Sequence, residues 1–526
     1  MPVKNAFIPG VEREENYPLA RFLPRLEKNV VSTWLSEHVP VGSLVIDPFG
    51  ASPQLAVEAA QAGYRIITAS NNPVTRFLLE FSGDIPESDI FQSVISVLAA
   101  ARVGQERLEP HILSGYATTC DQCGEEIYAE SFLWQDEEEG PYARIYSCPH
   151  CEHSGEYPTT LEDIDRAAKF SNNSLQRARA LESIAPIDSP DRKYAEEALD
   201  VYPARALYGL STLSNKIDGL SIIPEHEKPL QALMLSAFES ANSLWRHPSG
   251  RARPRQLSTP ARYRETNIWF ALERSVSQWV NQAANVQIVN WPNLPQEDGG
   301  ISIYEGRMKD LSSELVELNL GGTNGINAVV TTFPRPNQAY WTLSALWTGW
   351  LWGQEALGEF GHVLRRRRYD WAWHTNALQS SLNNLQKSLP AKTPFFGLVT
   401  ENEAGFDAAV MIASELANFE LQHSAIRPES GQSQFLWSNS TTRNAVKQRK
   451  ESGKLIQQAV TILMKDLGQP VDYLRLQAAA LEALISGNKI SNPGLAGNEI
   501  YTNLRSQLEQ AISLGQAFTR FGGGES

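Results

Sequence analysis

Cysteine is scarce in this chain of 526 residues: there are four, all between positions 120 and 151. So local a set rules out a disulfide framework as the organising principle and points to a metal. No run of about 18 uninterrupted apolar residues occurs, so no membrane span is expected. The opening Met1-Pro2-Val3-Lys4 leads into polar and acidic residues, not an apolar signal core, which sets a cytoplasmic expectation. Positive charge is in deficit. A net charge of −14 argues against a general nucleic-acid coat protein. It leaves open a DNA enzyme, whose binding depends on where cations cluster. No internal repeat is found, and nothing in the sequence fixes the oligomeric state.

What is present is an ordinary globular composition, long enough for two to four structural units. One helix is expected over residues 23–38. Residues 43–46 read as a strand, 47–52 as a turn, 53–63 as a helix from the spacing of Leu55, Ala56, Ala59 and Ala60, and 65–69 as a second strand. This strand–turn–helix–strand unit begins a parallel sheet with right-handed crossovers. Further strands are expected at 286–290, 300–304, 328–331, 394–399, 419–426 and 434–437, the last two as an antiparallel pair. A mostly helical stretch covers 160–285. Residues 440–526 read as helical, with a Gly-rich tail expected to be disordered.

Asp47-Pro48-Phe49-Gly50-Ala51-Ser52 lies where a strand hands over to a helix, the place where open α/β sheets bind ligands. It resembles the Asp-Pro-Phe-x-Gly-x-Gly cofactor loop of amino-group DNA methyltransferases. Ser70-Asn71-Asn72-Pro73 resembles their Asp/Glu-x-Asn-Pro turn after the second strand. Tyr17-Pro18 with Arg21 and Pro24 resembles the segment before the cofactor loop, and residues 301–311 their third strand and following turn. Thr331-Thr332-Phe333-Pro334-Arg335-Pro336-Asn337 is similar to the catalytic Asp-Pro-Pro-Tyr strand end, and a Trp-rich helix follows it. The order, with a zinc-ribbon insertion between cofactor loop and catalytic motif, is similar to large bacterial DNA methylases of adenine-specific type.

The resemblance implies a class I S-adenosylmethionine-dependent fold: an α/β sheet, mostly parallel, whose last strand is antiparallel. It implies S-adenosylmethionine as cofactor, bound by Tyr17, Asp47, Phe49, Gly50, Ser52, Ser70 and Asn71. Thr332, Pro334 and Asn337 would meet the target base, and DNA is the implied partner. The sequence departs from the family pattern at each point. Ala51 and Pro53 replace the loop glycines, Ser70 the ribose-binding carboxylate, Thr332 the catalytic Asp and Arg335 the stacking aromatic. A neutral hydroxyl accepts hydrogen bonds less strongly than a carboxylate. Two readings follow: an exocyclic-amino methyltransferase acting on DNA, or a non-catalytic descendant serving as a DNA-binding or assembly subunit.

Cys120-x2-Cys123 and Cys148-x2-Cys151 form two knuckle-like pairs, and each can present two thiolates to one tetrahedral metal. Four thiolates leave no open position, so the expected role is a structural Zn2+. The segment 246–264 carries six arginines and no acidic residue, with Pro248, Pro254 and Pro260, and reads as an exposed loop. Phosphate contact and pairing with the chain's own acids both stay open for it. Residues 365–368 are four consecutive arginines, and Lys447, Arg449 and Lys450 form a weaker cluster read as a solvated helix face. The Trp-rich helix from Trp341 to Leu351 reads as buried against the sheet, and His374 as structural. The expected organisation is a cofactor-binding half over 1–110, a zinc ribbon over 111–158 and a helical insertion with the basic loop over 159–285. The second half of the sheet domain covers 286–440 and a helical region 441–526.

Overall fold

The computed structural model describes residues 7–14, 16–136, 138–249, 253–296, 298–318, 320, 325–440, 452–468, 470–487, 490 and 496–513. The chain lays down β1 (Leu44–Asp47) and β2 (Arg65–Ser70), then a two-residue hairpin of β3 (Arg102–Val103) and β4 (Glu106–Arg107). The cysteine segment follows with β5 (Ala117–Thr119), β6 (Glu126–Tyr128), β7 (Ser131–Gln135), β8 (Ala143–Ser147) and β9 (Ser154–Pro158). After a helical stretch come β10 (Arg262–Thr266), β11 (Ile288–Asn290), β12 (Gly300–Glu305) and β13 (Ala328–Thr332). The last strands are β14 (Pro394–Val399), β15 (Phe419–Arg427) and β16 (Gln432–Asn439).

Eight of these strands form one sheet in the order β11-β12-β2-β1-β13-β14-β16-β15. β11, β12, β2, β1, β13 and β14 run parallel to one another, and β16 is antiparallel to both β14 and β15. A parallel sheet covered on both faces needs strands that are apolar throughout, and every residue of β1 and β13 is buried. Alternation sends Val45, Ile66, Ile301, Val330 and Leu398 to one face, against the helices Val30–His38 and Pro53–Gln61. Leu44, Ile46, Ile67, Val329 and Phe395 go to the other, where Leu382, Leu385 and Val410 meet them. The helices Ser452–Leu467, Tyr473–Ser486 and Gly497–Ser513 thicken that second face through Ile456, Leu481 and Leu504.

The helices between residues 161 and 240 build a third core. The Trp-rich helix Gln338–Trp352 is buried as expected, but in a cluster it shares with these helices. Trp347 Nε1 donates to the Tyr202 hydroxyl at 2.7 Å, and Trp350 Nε1 to the Ala180 carbonyl at 2.9 Å.

Two expectations need correction. The first helix spans Val30–His38, not residues 23–38, because Asn29 sits at φ +70° and breaks the helical path before it. The stretch 246–264 is not loop throughout. Its end forms β10, which pairs antiparallel with β7, so the cysteine segment's sheet is β10-β7-β8-β9 and borrows a strand from far along the chain. A buried bidentate pair fixes this join: Arg205 Nε and Nη2 donate to Glu265 at 2.9 and 2.6 Å, and Arg205 Nη1 donates to the Gly115 carbonyl. Lys447, Arg449, Lys450 and the tail after Ser513 lie outside the described residues. Among the described residues no helix is long and apolar enough to cross a membrane.

Candidate functional site

Strands β1 and β13 are neighbours with the sheet's strand order reversing between them, and β1 and β2 end side by side. The turn after β1 is held by Asp47, which is fully buried. Its Oδ1 accepts from the Phe49 and Gly50 amides at 3.2 and 3.1 Å and from the Thr331 hydroxyl at 2.6 Å. That last bond joins the β1 loop to the end of β13. Burial pushes the Asp47 carboxyl up to about 6, against the lowering effect of those three hydrogen bonds. Gly50 is required here. It sits at φ +52°, and a Cβ on it would come within 2.6 Å of the Ala69 carbonyl at the end of β2. Pro53 opens the next helix at a position that tolerates proline. Asn72 caps the helix Pro73–Ser82, its side chain accepting from the Val74 amide at 3.0 Å.

Above these strand ends lies a cavity of about 420 Å³. It gathers Pro48, Phe49 and Gly50 from the β1 loop, Ser70 and Asn71 from the end of β2, Gly306 and Met308 from the turn after β12, and Pro334 and Asn337 from beyond β13. Five cations line it: Arg253, Arg307, Lys309, Arg335 and Arg366. Among the described residues no Asp or Glu does. In a chain of net charge −14 the lining itself is cationic.

Some of the cations are already matched behind the wall. Arg335 donates to the Glu401 carbonyl at 2.7 Å and pairs with Glu403. Arg253 pairs with Glu401 at 3.2 Å. Arg307 is shared between Asp310 and Glu359. The basic loop therefore reaches the cavity, with the Arg255 carbonyl accepting from the Ala339 amide at 3.2 Å. Most of its charge near the cavity is met by the chain's own acids.

The residues predicted from sequence divide cleanly. Phe49, Gly50, Ser70, Asn71, Pro334 and Asn337 line the cavity. Asp47 and Ser52 are buried beneath it as turn-builders; the Ser52 hydroxyl donates to Gln54 at 3.2 Å. Tyr17 lines a separate, smaller cavity with Pro53 and Gln54. Thr332 is fully buried, its hydroxyl has no hydrogen-bond partner, and it does not line the cavity. Asn337 caps the Trp-rich helix, its Oδ1 accepting from the Tyr340 amide at 2.9 Å, while its Nδ2 is left without a partner.

Two cavity residues were not among the sequence-predicted site residues: His374 was expected to be structural, and Arg366 was one of the run of four arginines. His374 lines the cavity, with neither ring nitrogen hydrogen-bonded. Burial drives its pKa down to about 3, with the charges of Arg366 and Arg335 acting in the same direction; the nearby Pro334 carbonyl opposes this but falls short of a hydrogen bond. It is therefore a neutral imidazole. Arg366 turns inward from the arginine run, while Arg365 pairs with Asp191 and Arg367 with Glu197. Trp373, close behind that run in the sequence, was the available signal.

The second candidate site is the cysteine cluster. Cys120 and Cys123 stand on the turn between β5 and β6, and Cys148 and Cys151 on the turn between β8 and β9. The two turns repeat one another. The Gly124 amide donates to the Cys120 carbonyl at 2.9 Å and the Glu152 amide to the Cys148 carbonyl at 3.0 Å. Gly124 and Glu152 both adopt positive φ, +76° and +59°. All four Sγ atoms lie within 4.8 Å of one another, with Cys120–Cys151 and Cys123–Cys148 at 3.6 Å. These are not disulfides. Four sulfurs about 2.3 Å from a tetrahedral zinc stand roughly 3.8 Å apart, so the cluster is compatible with a structural metal site.

No family model, curated protein or solved structure matches the chain.

Proposed function

We propose that this chain is a methyltransferase-type protein that retains the ligand crevice, has lost methyl transfer, and serves as a DNA-binding subunit. The carboxylate-free lining of the crevice carries this reading. A cationic sulfonium cofactor is gripped by a carboxylate on its ribose, and this lining offers cations and a neutral Ser70 instead. The hydroxyl at the catalytic position, on Thr332, is buried away from the cavity. The residues present do not fit S-adenosylmethionine.

Support for the ancestry comes from the sheet, whose last strand, β16, is its one antiparallel insertion between β14 and β15. The β1 loop and the end of β13 meet across one crevice, as cofactor and target must in such an enzyme. Zinc in the four-cysteine cluster, holding the ribbon together, belongs to the same reading.

The test is a calorimetric titration of S-adenosylmethionine beside a DNA mobility-shift assay. Millimolar cofactor is expected to give no heat of binding. DNA binding is expected to be indifferent to cofactor and to Thr332→Ala. Cofactor binding with methyl transfer abolished by Thr332→Ala would refute the proposal, as would a failure to bind DNA.

A further inference from the structure

Arg366 is the one cation of the crevice that is partly buried and has no acidic partner among the described residues. Its guanidinium lies between two indoles, 5.1 Å from the ring centre of Trp341 and 4.9 Å from that of Trp373. Cation–π contacts of this kind hold the guanidinium in place without using its N–H donors. Two further polar groups in the same cavity are unmet. Asn337 is 1% exposed with a free Nδ2, and His374 is 2% exposed with both ring nitrogens free. Buried polar atoms are rarely left orphaned, and a cavity on which several converge has the character of a polar ligand site.

The donors decide the ligand's chemistry. A guanidinium fork and an amide N–H2 match an oxyanion, and phosphate suits the planar fork. The opposite wall, with Phe49, Ser70 and Asn71, offers an aromatic ring, a hydroxyl and an amide. The volume of about 420 Å³ exceeds what an inorganic ion needs and falls within the range of small organic ligands.

We propose that the crevice binds a 5′-phosphorylated nucleoside unit, with Arg366 and Asn337 on the phosphate and the sugar and base toward Ser70, Asn71 and Phe49. This rests on the nucleic-acid reading above and names the unit that the site receives. The phosphate belongs either to a free nucleotide or to a strand end.

The full chain is titrated with AMP, adenosine, inorganic phosphate, S-adenosylmethionine and a 5′-phosphorylated single-stranded oligonucleotide. AMP is expected to bind at least about tenfold more tightly than adenosine or phosphate alone. Arg366→Ala is expected to weaken AMP about 10- to 100-fold with an unchanged melting temperature, and Arg366→Lys to recover only part. Asn337→Asp keeps the helix cap while placing a carboxylate in the cavity, and is expected to abolish AMP binding. An oligonucleotide that displaces AMP and binds more tightly assigns the phosphate to a strand end; failure to displace it assigns a free nucleotide.

Equal binding of AMP and adenosine, no AMP binding, or AMP binding unchanged in both Arg366→Ala and Asn337→Asp would overturn the proposal. DNA binding by a protein that ignores AMP removes this inference and leaves the DNA-binding reading standing. Loss of both in the unaltered chain removes the two together.

Discussion

The cysteine ribbon and the strand-end crevice are built on opposite principles. In the ribbon, four sulfurs face one another across two near-identical turns and close on a single point. In the crevice, Arg366 lines the cavity without an acidic partner among the described residues, and the lining residues Asn337 and His374 carry buried polar atoms with no hydrogen-bond partner. Closed valence produces structure; open valence is what recognition requires. The crevice also contains an internal contrast. Asp47, which the family resemblance makes a ligand contact, uses Oδ1 to hold its own turn and to join it to Thr331 on β13, while Arg366 and His374, outside any motif, line the cavity.

The contrast can be broken most forcefully at the ribbon. Cys120→Ser, or a strong chelator, is expected to release near-stoichiometric zinc and unfold the β5–β9 segment, seen as loss of metal by elemental analysis and new protease cuts between residues 116 and 158. Crevice ligand binding should suffer less. An equal loss at both sites would mean that the two regions are one cooperative unit.

Next in size is the join between ribbon and insertion. Arg205→Ala leaves the Glu265 carboxylate buried without its countercharge, with only the Trp134 indole N–H donating to it, and is expected to cost about 3–5 kcal/mol in denaturant unfolding. A loss under about 1 kcal/mol would show that β10 is held by its strand pairing alone.

The crevice gives a smaller, pH-dependent effect. Because the folded Asp47 carboxyl titrates near 6, above the usual carboxylate range, the native state holds its proton more tightly than the unfolded chain. That contribution is present in acid and lost as pH rises through 6. In Asp47→Asn an amide oxygen still accepts from the β1 loop and Thr331. Its stability relative to the unaltered chain should therefore rise between pH 5 and pH 8, by about 1–1.5 kcal/mol. Parallel stability curves would count against this.

The smallest effect sharpens the likeness of the two cysteine turns. Glu152 holds the left-handed conformation that Gly124 holds in the other turn. Glu152→Gly is expected to stabilise the ribbon by about 0.5–1 kcal/mol, read as a small rise in melting temperature.

Local patterns in the sequence carried the fold well. Cys-x2-Cys spacing foretold both turns, and the apolar runs of β1, β2 and β14 foretold the sheet, because each signal lies within a few neighbouring residues. The terminal antiparallel pair was also legible. The crevice was only half so. Ser70, Asn71 and Asn337 sit at strand ends and were found there. Arg253, Arg366 and His374 come from an insertion loop, an arginine run and a helix, and only packing brings them together. β10 escaped for the same reason. Its partner, β7, lies more than a hundred residues earlier, and the prolines and arginines before it read as loop.

The bond between Asp47 and Thr331 spans 284 residues. On a ribosome adding roughly 5–20 residues per second, β1 emerges on the order of 15–60 s before the strand that must lie beside it. Through that interval β1 and β2 offer open edges to any other extended chain. The cysteine segment and its helices emerge meanwhile, and β10 arrives to complete their sheet before β13 appears. Synthesis therefore favours an order in which the inserted region matures first and the older-looking sheet, begun earliest, is finished late.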